Sequence, residues 1–200
     1  MNDLETIDID ADTKIFIFSI EKNSFMVDNS IIPMEQIKKI KKFKNTKDRT
    51  KRLLARTFLF NYCKKNYILE DFTFAYTNNQ RPRFKGTHKI DFSISYSKDM
   101  VAIAISTMGI VGLDIEYMDD SIVSKSVALE FMNGAEFSTF VNIKKEHIIN
   151  YFYEKWTAKE SFLKASGDGL RVNPKTVTNS LGKTIYFQDY VINIFRLLPS

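Results

Sequence analysis

The sequence predicts an α+β protein built from two similar packed α/β halves, and three observations favour that class. First, 44% of the 200 residues are hydrophobic and 26% are charged, which is typical of a globular chain with a sizeable core. Second, each half combines helical and strand-like patterns. Third, no Pro- or Ser-rich linker divides the chain. We therefore expect two similar halves at 1–105 and 106–200, related by a pseudo-two-fold axis, with a functional site at their junction.

The first half begins with a strand and two helices. The run TKIFIFSI at 13–20 is rich in β-branched and aromatic residues, as strands are. Apolar periodicity predicts one helix starting near Pro33 and a stronger one over 47–64. The segment 75–89 collects Asn, Pro and Gly, which favour turns.

Alternating strand-like and helical patterns continue through the rest of the chain. The patterns are apolar alternation for strands and a 3.6-residue period for helices. In chain order they predict strands at 89–97, 100–107 and 110–118, helices at 121–142 and 145–166, and strands around 184–188 and 190–198.

Composition narrows the class of protein further. The acidic start, MNDLETIDID, lacks the basic and apolar regions of a signal peptide. Apolar runs such as MVAIAIS are far shorter than the roughly 20 residues that span a bilayer. The single cysteine, Cys63, has no partner for a disulfide or a structural zinc site, and we expect a buried thiol. The sequence thus predicts a soluble cytoplasmic protein without a membrane partner, and the presence of two halves in one chain favours a monomer.

Positive charge is concentrated in one stretch. Residues 36–65 hold twelve Lys or Arg against one acid, Asp48, a net charge of +11 where the whole chain carries +5. Such a field favours an anionic partner: a nucleic acid, a phosphorylated small molecule or an acidic protein. Arg49, Arg52 and Arg56 have i, i+3, i+7 spacing and line one side of the predicted helix.

A pair of carboxylates follows in the strand-like segment GLDIEYMDD. Side chains two residues apart in a strand point the same way, so Asp114 and Glu116 share a face. Adjacent carboxylates repel unless a cation or a proton lies between them. Mg²⁺ suits such oxygen ligands and completes its shell with waters and phosphates. Gly112 leaves room for close backbone approach. Alone, the pair also fits a solvated polar face.

The segment FYEKWTAKESFLKASGDGL predicts a helix with an unusual polar stripe. Trp156, Glu160 and Lys164 recur every four residues, with Lys159 beside Glu160. Glu160 can reach a metal while the lysines offer charge to phosphate oxygens. By itself the stripe also fits an ordinary helical Glu–Lys pair.

Together these two segments resemble the 4'-phosphopantetheinyl transferases, particularly the surfactin-synthetase type that activates carrier proteins. The resemblance rests on Gly112-Leu113-Asp114-Ile115-Glu116 and, about forty residues later, on Trp156-Thr157-Ala158-Lys159-Glu160-Ser161-Phe162-Leu163-Lys164. FMNGAEF, YFYEKW and GDGL resemble the flanking elements of the family. The similarity is good over about 80–170 and loose before residue 80.

The resemblance implies a role for each motif residue. Asp114, Glu116 and Glu160 would hold Mg²⁺ on the coenzyme A diphosphate. Lys159 and Lys164 would contact its phosphates, with Lys164 as a proton donor to the leaving group. Glu160 could take the proton of the accepting serine.

Upstream residues resemble the family more weakly. QRPRF resembles a segment near the adenosine 3'-phosphate, which would place Arg81 there, and Arg49 and Arg52 loosely match basic residues of that region. FSISYS resembles a Ser-His-Ser element, so Ser95 would lie near the diphosphate. Tyr96 departs from the pattern, since it stands where the family usually has His. A phenol can hydrogen-bond phosphate but carries no positive charge at neutral pH.

The implied activity is Mg²⁺-dependent transfer of the phosphopantetheine arm from coenzyme A to a serine of an apo acyl or peptidyl carrier protein, releasing 3',5'-ADP. Two alternatives stay open: a nucleic-acid-binding module using 36–65, and an inactive family member that only binds carrier or coenzyme A. Apolar residues that could dock the carrier are Met118, Val123, Val127 and Met132. The identity of the carrier is not encoded in these patterns.

Overall fold

A computed structural model describes residues 1–67, 73–77, 81–85, 90–178 and 182–197. The chain divides into two compact units, Met1–Met108 and Gly109–Ser200. Each unit combines helices with antiparallel strands, so the predicted α+β class is confirmed. Part of the turn-like segment 75–89 and residue 198 lie outside the described residues.

The first unit is a four-stranded antiparallel sheet with two helices and a hairpin. The sheet order is β1-β2-β6-β5, and β1 was not predicted from the sequence. Its elements are β1 (Glu5–Asp8), β2 (Thr13–Ser19), α1 (Met34–Lys41), α2 (Thr46–Asn66), the β3–β4 hairpin (Phe74–Tyr76, Pro82–Phe84), β5 (Asp91–Ser97) and β6 (Met100–Ser106).

The core of this unit lies where α2 contacts one face of the sheet. Leu54, Phe58 and Cys63 of α2 are buried together with Phe16 and Ile103 of the sheet. Burial in these apolar surroundings raises the pKa of the Cys63 thiol to about 12, so it stays protonated and unreactive at neutral pH. The predicted buried thiol is confirmed.

Helix α2 is the longest in the protein as described, and its start is set by a side chain. The Asn45 side chain accepts hydrogen bonds from the backbone N–H groups of Lys47 and Asp48, which satisfies two of the free donors of the first turn. The helix ends at Asn66, two residues beyond the predicted boundary.

The second unit packs a long helix against a three-stranded antiparallel sheet of order β7-β9-β8. The strands are β7 (Ile110–Tyr117), β8 (Lys183–Phe187) and β9 (Tyr190–Leu197), and the helices are α3 (Lys125–Phe131), α4 (Gly134–Asn142) and α5 (Ile148–Ser166). Helix α5 ends at Gly167, whose φ of 78° is the left-handed conformation that glycine favours.

One helix was predicted over 121–142, and two are found. Asn133 interrupts it: its side chain accepts from the Glu136 N–H while the Glu136 carboxylate accepts from the Asn133 N–H. This capping box starts a new helix. The 121–142 prediction was wrong because hydrophobic periodicity alone does not register a cap within a helical pattern.

Candidate active site

The polar stripe of α5 lies along the carboxylate face of β7. Trp156 donates from its indole N–H to Glu116 at 3.4 Å, and Lys164 donates to Asp114 Oδ1 at 2.6 Å. Two helix residues eight apart, which is two steps of four along the polar stripe, therefore meet two strand residues two apart, as their periodicities allow. The structure brings together Asp114, Glu160 and Lys164, as the sequence patterns anticipate.

Gly112 makes this close approach possible. A Cβ atom at Gly112 would lie 1.8 Å from the backbone oxygen of Ser161 and 2.5 Å from the backbone nitrogen of Ala165. No side chain fits such distances without moving α5 away from β7. The glycine of the strand motif therefore sets the separation at which the α5 side chains reach Asp114.

Burial and charge distinguish the carboxylates of Asp114 and Glu160 from ordinary surface acids. Asp114 is 3% exposed. Burial, and then the nearby charge of Asp114, raise the pKa of the Glu160 carboxyl above its ordinary value, while Lys164 acts in the opposite direction. Two close carboxylates in a dry environment favour a proton or a cation between them.

Asp114, Glu116 and Glu160 offer oxygen donors on this part of the protein, although no group of three or more His, Cys, Asp or Glu in the described residues is arranged as a metal site. The Asp114 carboxylate attracts positive charge, since the Lys164 ammonium lies within hydrogen-bond distance of it. Carboxylate oxygens are the ligands that Mg²⁺ prefers. Glu116 shares the Asp114 face of β7 and accepts from Trp156.

Lys159 has a different environment from the one expected. Its side chain is 1% exposed, and its ammonium donates to the Glu136 carboxylate, the Pro174 carbonyl and the Val177 carbonyl, each at 2.9 Å. An ammonium has three N–H donors, and these contacts use all three. In this arrangement Lys159 ties α5 to α4 and to the 174–177 segment, and it has no donor left for a phosphate.

A cluster of arginines and aromatic rings lies in the first unit. The Arg52 guanidinium stacks 4.0 Å from the Phe43 ring centroid and 5.1 Å from that of Tyr96. Arg56 stands 5.1 Å from the Phe74 ring. Burial lowers the pKa of the Arg56 guanidinium, so its charge lies in a poorly solvated place. The sequence patterns identify Arg56 only by its charge and its spacing along the helix. Its burial could not be predicted because burial depends on tertiary packing.

Several donors of this cluster lack acceptors. Among the described residues, Nε of Arg52 and both Nε and Nη1 of Arg56 are buried without a hydrogen-bond partner. Buried polar groups in native proteins are nearly always paired. A bound anion would supply the missing acceptors, and phosphate is well matched to guanidinium donors.

The other upstream residues are engaged elsewhere. Arg49 donates to the carbonyls of Phe43 and Lys44 and to the Thr46 hydroxyl, so it fastens the α1–α2 connection. Arg81 forms a two-pronged ion pair with Asp91, at 2.8 and 2.5 Å, in which both side chains are 9% exposed.

Ser95 and Tyr96 are neighbours on β5 and therefore point to opposite faces of the sheet. Tyr96 packs against the α2 core, beside Arg52. Ser95 is 5% exposed. The structure brings Tyr96, but not Ser95, to the arginine cluster.

Comparison with known proteins concerns the part of β7 and α5 that carries Asp114, Glu116 and Glu160, which we call the acidic face. Residues 110–191, which hold Asp114, Glu116, Glu160 and Lys164, match the family model described as the 4'-phosphopantetheinyl transferase superfamily. The chain is 30% identical over 152 residues to the 4'-phosphopantetheinyl transferase Sfp of Bacillus subtilis, a match covering 75% of this chain and 65% of that protein. The chain belongs to the 4'-phosphopantetheinyl transferase superfamily.

Other members of the superfamily show the same relation. The 4'-phosphopantetheinyl transferase gsp of Aneurinibacillus migulanus is 26% identical over 153 residues, 76% of this chain and 63% of that protein. HetI of Nostoc sp., also named a 4'-phosphopantetheinyl transferase, is 30% identical over 79 residues, 40% of this chain and 33% of that protein. The chain spans less than two thirds of the length of these superfamily members.

The match to the superfamily model lies within the second unit. It runs from β7 into β9 and so includes the acidic face and Lys159. The arginine cluster falls outside the matched family model. Within the described part of the chain, no helix combines the length and apolar character needed to cross a membrane.

Proposed function

We propose that the protein transfers the 4'-phosphopantetheine arm of coenzyme A to a serine of an acyl or peptidyl carrier protein, with Mg²⁺, releasing 3',5'-ADP. The observation that carries the proposal is that Asp114, Glu160 and Lys164 converge where the polar stripe of α5 lies along the carboxylate face of β7. That face lies within the residues that match the superfamily, and relatives such as Sfp are named 4'-phosphopantetheinyl transferases.

The acidic face would hold the metal through Asp114, Glu116 and Glu160. A bound Mg²⁺ would supply positive charge to the diphosphate and to the oxygen that leaves with 3',5'-ADP. Lys164 is close enough to this face to donate hydrogen bonds to the diphosphate oxygens and to the leaving group.

Glu160 is our candidate for the general base. The serine oxygen forms a bond to the phosphorus that carries the pantetheine arm, and the bond from that phosphorus to the bridging oxygen breaks. The serine proton passes to Glu160, directly or through a water. Without the metal, burial and the charge of Asp114 raise the pKa of the Glu160 carboxyl, and a carboxylate with a raised pKa is the stronger base.

The 3'-phosphate would bind the arginine cluster through Arg52 and Arg56. Their buried N–H groups without acceptors support this choice, whereas Arg49 and Arg81 already bind backbone carbonyls and Asp91. Holding the 3'-phosphate would supply binding energy and orientation to coenzyme A, with no chemical part in the reaction. Tyr96 would supply a neutral hydroxyl where a histidine is usual, and Ser95 near the diphosphate stays a prediction.

The partner would be an acidic carrier protein. Five exposed lysines have no ion-pair partner in the described part of the chain: Lys38, Lys41, Lys42, Lys44 and Lys47. Such a surface raises the rate of encounter with an acidic partner. Of the expected docking residues, Met132 is buried, whereas Ile122 and Leu129 nearby are about half exposed and take its place as candidates.

Other properties stay predictions: the halves 1–105 and 106–200 with their pseudo-two-fold relation, the active site at their junction, the monomer and the cytoplasmic location. The two alternatives, nucleic-acid binding and binding without catalysis, predict that neither a modified carrier nor 3',5'-ADP is formed.

Intact-mass measurement of a purified apo-carrier incubated with the protein, coenzyme A and Mg²⁺ tests the proposal. We expect a mass gain of one phosphopantetheine group, absent when the metal is chelated. An unmodified carrier, with several acyl and peptidyl carriers offered, would contradict the proposal.

A further inference from the structure

The contact between Lys164 and Asp114 raises a question about how the proposed metal site is filled. The ammonium of Lys164 lies 2.6 Å from Asp114 Oδ1, and the side chains are 30% and 4% exposed. A divalent cation bound to Asp114 would be drawn to the same carboxylate. The ammonium and the metal therefore compete for Asp114.

The competition follows from charge as well as from space. In partly buried surroundings, like charges a few ångströms apart repel more strongly than they do in water. Lys164 also opposes the rise in the pKa of Glu160, so its charge acts on both carboxylates. A metal ion entering this face would have to displace the ammonium.

The lysine side chain is able to leave. It is a flexible chain of four methylene groups ending in a compact charge, and at 30% exposure it is not enclosed by the core. Lys159 contrasts with it in exposure, since only 1% of that side chain is exposed. What the Lys164 ammonium needs is another anion within reach, and the diphosphate of coenzyme A provides one.

We propose that Lys164 is a built-in counter-cation that occupies the Asp114 carboxylate until coenzyme A arrives, and so couples metal binding to coenzyme A binding. The inference rests on the proposed function. When the diphosphate binds, Lys164 moves from Asp114 to phosphate oxygens and Asp114 becomes available to the metal. Because such coupling is reciprocal, the metal also tightens coenzyme A binding by the same factor. The protein then holds little metal in the absence of coenzyme A.

Mn²⁺ binding followed by electron paramagnetic resonance tests the coupling without any measurement of turnover. Free Mn²⁺ is titrated with and without coenzyme A, and coenzyme A alone is titrated to correct for its own affinity. For the wild type we expect coenzyme A to tighten Mn²⁺ binding about tenfold, within the range usual for coupled sites. Lys164→Gln should bind Mn²⁺ more tightly than the wild type without coenzyme A, and the enhancement by coenzyme A should shrink.

Two further variants serve as controls. Lys155→Gln removes a positive charge from the same helix, beside the Tyr151 ring and outside the acidic face, and should behave as the wild type. Asp114→Asn should lose Mn²⁺ binding under both conditions. Circular dichroism spectra like that of the wild type establish that each variant is folded.

The outcomes separate the two proposals. Unchanged or weaker Mn²⁺ binding by folded Lys164→Gln without coenzyme A would overturn the counter-cation role and leave the proposed function standing. If no protein binds Mn²⁺, even with coenzyme A, the metal assignment fails and the coupling fails with it.

Discussion

Replacing Lys159 by Met should destabilise the second unit strongly without a matching loss of coenzyme A affinity. The change deletes the ammonium that pairs with Glu136 and donates to the carbonyls of Pro174 and Val177. Breaking one partner of a buried ion pair costs about 3–5 kcal/mol. The Glu136 carboxylate keeps its hydrogen bond from the Asn133 N–H, so we expect the lower end, about 3 kcal/mol.

Urea unfolding followed by tryptophan fluorescence measures this loss. The chain has one tryptophan, Trp156, which lies in α5 beside the affected contacts, so the signal reports the second unit. Lys155→Met is the matched control, since surface substitutions usually change stability by less than about 0.5 kcal/mol.

A double variant separates a structural tie from a phosphate ligand. Lys159→Met combined with Glu136→Gln leaves no unpaired buried charge, so it should lose less stability than the sum of the single variants. Where Lys159→Met is folded, calorimetric titration should give a coenzyme A Kd close to that of the wild type. A stability loss below about 1 kcal/mol, or a Kd raised more than tenfold in the folded protein, would refute the structural role of Lys159.

Three other changes test the site and the fold. Gly112→Ala should lower Tm markedly because its Cβ would meet the Ser161 backbone. Gly134→Ala, which has open space around it, should be neutral or slightly stabilising. Equal Tm values for the two variants would contradict the close packing of α5 on β7. Arg52→Met should weaken binding of coenzyme A more than that of dephospho-coenzyme A, whereas Arg81→Met should mainly lower Tm because it removes the buried ion pair with Asp91. The reverse pattern in calorimetry would place the 3'-phosphate at Arg81. Glu160→Gln should raise the Tm of the ligand-free protein at neutral pH. Burial raises the pKa of Glu160 in the folded state, so the stability of the wild type falls as pH rises above the ordinary Glu pKa of about 4.3. A gain in Tm that persists unchanged below pH 4 would contradict this cause.

Local patterns predicted the motif-bearing elements well. Apolar alternation in IVGLDIEY and the four-residue steps of α5 are short-range signals, and they suffice to place Asp114 and Glu116 on one strand face and Glu160 and Lys164 on one helix face. The helix break at Asn133 was missed because a capping box is a side-chain geometry that hydrophobic periodicity does not register.

The partners of the cationic residues could not be predicted in this way. Lys159 and Lys164 lie five residues apart on α5, and the sequence suggested the same role for both. Only packing shows that Lys159 is enclosed by Glu136 and two carbonyls while Lys164 is partly exposed. Likewise, Arg81 meets Asp91 through tertiary contact, and the missing acceptors of Arg56 follow from its burial.

The most direct test of the central claim measures both products of one reaction. An apo-carrier protein is incubated with coenzyme A, Mg²⁺ and either the wild type or Glu160→Gln, with holo-carrier quantified by intact mass and 3',5'-ADP by chromatography at matched times. We expect the two products to appear in equal amounts with the wild type, and both to fall by at least about a hundredfold in the variant, the usual scale for loss of a general base. Holo-carrier formation that is undiminished in folded Glu160→Gln, or 3',5'-ADP released without any modified carrier, would contradict the account.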